Sequence, residues 1–134
     1  LLSSMEALAA AGIEKPDAII TGTMYGCLEY SELLLNQMKD EGESMLKPTY
    51  FMQSTHNTIG SNIAIKTQCH TQGKDSLSWA VRDAEMLIKE GKARTVLVGC
   101  HDESTHLFNS LLKRDGAEEF PFIHSIAMVL SCGE

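Results

Sequence analysis

Thr95-Val96-Leu97-Val98-Gly99-Cys100 is a continuous apolar run rich in β-branched residues, and such a run suits a strand covered on both faces. The residues before it read as a helix. Leu77, Ala80, Val81, Ala84, Leu87 and Ile88 recur at helical spacing, Asp75 or Ser76 can cap the start, and Gly91 closes the end after Glu90. Upstream, Ala18-Ile19-Ile20-Thr21 is another short β-rich run, followed by the loop Gly22-Thr23-Met24-Tyr25-Gly26. Downstream, Thr105 to Lys113 reads as a short helix and Ile123 to Cys132 as a further buried strand. Strands alternate with helices, so the fold class is α/β, with a largely parallel or mixed sheet flanked by helices.

The remaining segments fill in this frame. Leu1, Leu2, Met5, Leu8 and Ala9 fall on one helical face, with Gly12 as a stop. Glu29 to Glu41 predicts a second helix that buries Tyr30, Leu33, Leu34 and Met38. Pro48-Thr49-Tyr50-Phe51 reads as extended, Thr58 to Ile65 as a helix weakened by Gly60, and Gln68 to Lys74 as a polar, flexible segment.

The chain has 134 residues, 43% hydrophobic and 22% charged, which suits one soluble domain with one core. No apolar run approaches the roughly 20 residues of a membrane helix. The N-terminus has no basic region before an apolar stretch, so a cytoplasmic location is expected. The net charge of −7 argues against a nucleic-acid partner, which needs clustered Lys and Arg.

Cys27, Cys69, Cys100 and Cys132 are far apart and form no C-x-x-C pair, so reduced thiols are expected, with Cys100 and Cys132 as small core residues. Cys69-His70, Cys100-His101 and His106 lack compact ligand spacing, and no metal is expected. The 22–26 loop matches neither phosphate-binding glycine motif, and no cofactor is expected.

Several stretches, in order, resemble the β-ketoacyl synthase family. They are Ala84 to Gly91, then Ala93, Val96-Leu97-Val98-Gly99 and Glu103, and upstream Ile20-Thr21-Gly22-Thr23 with Gly26. Gln53-Ser54-Thr55-His56-Asn57-Thr58-Ile59-Gly60 is similar to a divergent branch of ketosynthase-like N-terminal domains. The resemblance implies a thiolase-type half-fold, a five-stranded sheet between helices, with residues 1–134 as one N-terminal-like domain incomplete at one or both ends. It also implies fatty-acid or polyketide and aryl-polyene-type chemistry, in which an acyl thioester condenses with malonyl-carrier protein. Acyl carrier protein or an acyl thioester is then a partner, as is a second copy or a complete ketosynthase.

In the family a Cys at a helix N-terminus takes the acyl group, and two His residues of the second half assist. Oriented helix N–H groups lower a thiol pKa and receive a developing oxyanion. Cys69 is the cysteine nearest the start of the long helix. Counting back from Gly91 instead places the family's Cys near Lys74, and the forward count from Asn57 falls short of the family's spacing. Two readings follow. Cys69 is the nucleophile, or a non-Cys residue of Gln72-Gly73-Lys74 holds that position, as chain-length factors carry Gln there. His56 is placed at a substrate or dimer surface, or in a loop hydrogen bond. Glu103, after the strand, is expected to tie backbone donors. The second-half His pair has no counterpart, so weak or no condensing activity is expected from this polypeptide alone, and a non-catalytic, chain-length-factor-like partner is the alternative.

Overall fold

The computed structural model describes residues 1–69, 71–74 and 77–133, with 71–74 described by backbone alone. The chain forms α1 (Leu2–Ala11), β1 (Ala18–Gly22), α2 (Leu28–Glu41), a 3-10 turn (Glu43–Met45) and α3 (Pro48–Ser54). It continues through α4 (Thr58–Thr67), β2 (Thr71–Lys74), α5 (Leu77–Lys89), β3 (Thr95–Glu103), α6 (His106–Arg114) and β4 (Ile123–Ser131).

The described strands make one four-stranded sheet in the order β2-β1-β3-β4. β1 runs parallel to β2 and β3, and β4 is antiparallel to β3. Alternation along β1 and β3 divides the core in two. Ile20, Val96 and Val98 pack with Ala80 and Ala84 of α5 on one face. Ile19 and Leu97 pack with Leu8 of α1 and with Ile63 and Ala64 of α4 on the other. Ala80 and Ala84 are fully buried, so α5 lies close to the sheet because its contact face is small.

At the amino ends of the strands, the Asp17 carboxylate accepts from the Arg94 and Thr95 N–H groups at 2.9 and 3.0 Å. These backbone bonds, Arg94's first, hold its pKa below the usual carboxylate value.

Five local expectations are corrected. Pro48–Ser54 is helical, because Pro48 occupies the first turn, where its missing N–H costs nothing. Part of the 68–74 segment is strand, since Thr71–Lys74 pairs with β1. Of the expected α1 face Leu8 is buried, but Leu1 and Leu2 are exposed, and Ser4 is buried as well. In α2 the buried residue is Gln37, while Tyr30 and Leu33 stay more than a third exposed. α2 packs on α3 rather than on the sheet, so its apolar face does not reach the core. Finally, β4 is an edge strand rather than a buried one: Ile123 is exposed, and so is Cys132 just beyond it, while Cys100 is only half-buried. The expected caps Asp75 and Ser76 lie outside the described residues.

Candidate functional site

The topology singles out one end of the sheet. From β1 the chain crosses to β2 on one side, then returns past β1 to β3 on the other. The connections therefore diverge at the carboxyl ends of β1 and β3, and such a divergence leaves a crevice. The residues there are Thr23 to Gly26 after β1 and His101 to Ser104 at the end of β3.

Asp102 holds the two strand ends together. Its Oδ1 accepts from Thr23 Oγ1 at 2.7 Å, Met24 N at 2.7 Å and Tyr25 N at 3.2 Å. Thr23 Oγ1 in turn accepts from Gly26 N at 2.9 Å, which closes the turn. Tyr25 then packs against Phe108 and Phe120. Gly26 has φ of 69°, and a Cβ there would stand 3.3 Å from the Ser54 carbonyl oxygen and 3.7 Å from the His56 ring. Glycine is thus required both by the backbone and by the close approach of the 54–56 turn.

Glu103 Oε1 accepts from the Glu29 N–H at 2.9 Å in the first turn of α2. A carboxylate there satisfies an unpaired helix donor and complements the helix dipole. Glu32 accepts from Thr105 Oγ1, and Thr105 Oγ1 caps α6 by accepting from Phe108 N at 3.1 Å.

His101 is the buried titratable ring of the site, 5% exposed. Its Nδ1 is 2.6 Å from Ser125 Oγ and its Nε2 is 3.4 Å from Ser4 Oγ. Ser125 Oγ also lies 2.7 Å from Ser3 Oγ. Burial lowers the His101 pKa from 6.5 to about 4, so the ring is neutral at neutral pH. A Cβ on Gly99 would fall 2.4 Å from His101 Nε2, so glycine two residues earlier makes room for the ring.

Three cavities follow this rim. A cavity of about 200 Å³ is lined by Gly26, His101, Asp102, Glu103 and Ser125 among others. A cleft of about 590 Å³ adjoins it through Glu103 and Ile123 and carries Glu29, Glu32, His106 and Phe122. On the other side Leu1 and Ile59 join it to a cavity of about 500 Å³ that reaches Ile65 and Lys66. Together they form an elongated, mostly apolar depression with polar groups at its centre. Among the described residues no group of three His, Cys, Asp or Glu side chains could hold a metal ion.

Solved structures share this architecture, among them the following two. A ketosynthase (ApeO) in complex with its chain length factor (ApeC) from Xenorhabdus doucetiae matches with a TM-score of 0.78, 21% identity, 98% of this chain and 56% of that one. The ishigamide ketosynthase/chain length factor matches with a TM-score of 0.71, 20% identity, 85% of this chain and 32% of that one. The chain has a thiolase-like, ketosynthase-type fold. It spans little more than half of the first of these chains and about a third of the second. No protein-family model matches the sequence, and no curated protein sequence matches it.

Within this ketosynthase-type fold the residues singled out from sequence fall in different places. Cys69 is not at a helix N-terminus. It follows the C-cap of α4, where Gln68 is left-handed at φ 53°, and its N–H donates to Ala64 O at 3.0 Å. Its Sγ donates to the carbonyl of Pro16 at 3.1 Å, just before β1 begins. That position is the amino end of the parallel strands, opposite the crevice. Gln72 lies in β2 opposite Ile20, and its side chain is outside the described residues. Lys74 is the last residue of β2. His56 is exposed in the turn between α3 and α4, beside Gly26. The thiol that does stand at a helix start is Cys27, at the N-cap of α2; burial and then the Glu103 charge push its pKa up.

Asp102, His101 and Ser125 stand outside the residues that the sequence motifs single out as functional. The signal for Asp102 was an acid directly after an apolar strand, level with a Thr-bearing turn after the neighbouring strand. Ser125 had no such signal, because its role depends on the antiparallel register of β4 against β3.

Proposed function

We propose that this chain is an acyl-handling, ketosynthase-type subunit that works beside a complete ketosynthase, in the role of a chain-length-factor-like partner. The observation that carries this reading is the placement of the thiols. Cys69 sits at the far end of the sheet from the crevice, and the position that the family resemblance implies by counting back from Gly91 falls near Lys74, where no cysteine stands. Condensation by a thiol nucleophile needs an activated cysteine at the reaction centre, and the two thiols near the crevice, Cys27 and Cys100, both have their thiolates disfavoured, by burial first and then by the neighbouring Glu103 and Asp102 charges. The elongated apolar depression supports the other part of the role, lining the path of an acyl chain. Two of the similar structures are of a ketosynthase with its chain length factor, which supports a ketosynthase as the partner.

Fatty-acid, polyketide and aryl-polyene-type pathways all lie within this reading. The test is to incubate the chain with acyl- and malonyl-carrier protein, alone and with a complete ketosynthase, and to measure β-ketoacyl product and its chain length. The expected result is little product from the chain alone and an altered product length in the mixture. Robust turnover by the isolated chain overturns the reading.

A further inference from the structure

We infer that Ser125, paired with His101, is a nucleophile that accepts an acyl group from a thioester. Ser125 and His101 are directly opposite one another in the antiparallel β3–β4 register, which explains the 2.6 Å contact between Oγ and Nδ1. Both residues line the 200 Å³ cavity, and Ser125 is exposed to it while His101 is buried behind. In the neutral ring one nitrogen donates and the other accepts. In the tautomer that carries its proton on Nε2, which faces Ser4 Oγ at 3.4 Å, Nδ1 is left to accept the Ser125 proton. Ser3 Oγ, 2.7 Å away, then donates to Ser125 Oγ and orients it. The order Ser3, Ser125, His101, Ser4 is a nucleophile beside a base whose far nitrogen is itself held.

The step balances without any further reactant. The Ser125 Oγ–carbon bond forms as the carbon–sulfur bond of the thioester breaks. The hydroxyl proton passes to His101 Nδ1 and then to the departing thiolate, leaving an acyl ester on Ser125 and a free thiol. This is transfer, not condensation, so it needs neither a malonyl group nor a cysteine. The choice of a thioester rests on the function proposed above; the activation of Ser125 does not.

The test uses the full chain with two probes, a fluorophosphonate and S-octanoyl-N-acetylcysteamine, read by intact mass and peptide mapping. The expected result is one adduct, on Ser125, lost in Ser125→Ala. His101→Gln is expected to slow the reaction by about a hundredfold, the scale of a missing general base. If that variant does not fold, the unfolded wild-type chain replaces it, and the adduct must then disappear. An adduct on Ser125 from either probe supports the inference. No adduct on Ser125 from both probes, or adducts confined to the cysteines, overturns it and leaves His101 as a buried ring satisfied by serines. Neither outcome depends on whether a ketosynthase partner binds.

Discussion

The carboxylate of Asp102 accepts from one hydroxyl and two backbone N–H groups of the loop after β1, so Asp102→Ala leaves those donors without a partner in a mostly buried place. The expected cost is about 2–4 kcal/mol, measured by urea denaturation. Gly99→Ala is expected to cost about 1–3 kcal/mol in the same assay, because the new methyl must displace the His101 ring. His101 makes stability depend on pH. Its folded pKa of about 4 lies below the ordinary 6.5, so between these values the unfolded chain binds a proton that the native chain does not. Stability therefore falls as pH drops from 6.5 towards 4, by up to about 3 kcal/mol, and is fully present above 6.5. Urea midpoints at pH 7 and 4.5 should show this decline, and His101→Asn should flatten it. Of Asp102, His101 and Ser125, only Asp102, the neighbour of Glu103, has a visible sequence cue. His101 and Ser125 meet across a strand pair separated by a helix and a long loop, and periodicity carries no information about that register.

The elements that pack on the sheet were the ones the sequence revealed. α5 and β3 show clear helical and apolar-run patterns because tertiary contact imposed them: six apolar positions of α5 face the sheet. Ala84→Leu should disturb this contact, since the helix approaches where the side chain is smallest, at about 1–3 kcal/mol in thermal or urea melts. α2 shows the opposite case. Its apolar positions suggested a core face, yet the helix packs on α3 and presents Leu35 at 63% exposure. Leu35→Ser is expected to change the stability of the isolated chain by less than about 0.5 kcal/mol. β2 was missed because four residues, Thr-Gln-Gly-Lys, carry no β signature of their own; pairing with β1 makes them a strand.

For the whole molecule, the ordered motifs made the ketosynthase-type fold legible even though each was weak, because chain order fixes which strands adjoin. The candidate site is less legible, since spacing along the chain points to the start of α5, whereas the crevice is set by the divergence of connections around β1. Pairing with a complete ketosynthase should appear as a new cross-linked band and an earlier size-exclusion peak. A persistent monomer that captures no such protein would sink the partner role. One consequence concerns handling of the protein. β4 ends the described sheet, and Ile-His-Ser-Ile-Ala-Met-Val-Leu-Ser contains no Asp, Glu, Lys, Arg, Gly or Pro. Natural edges usually carry such residues as guards against unwanted strand pairing. A preparation of this chain by itself should therefore cloud on gentle heating through β4, and a single lysine at Ile126, which is 40% exposed, should delay the turbidity.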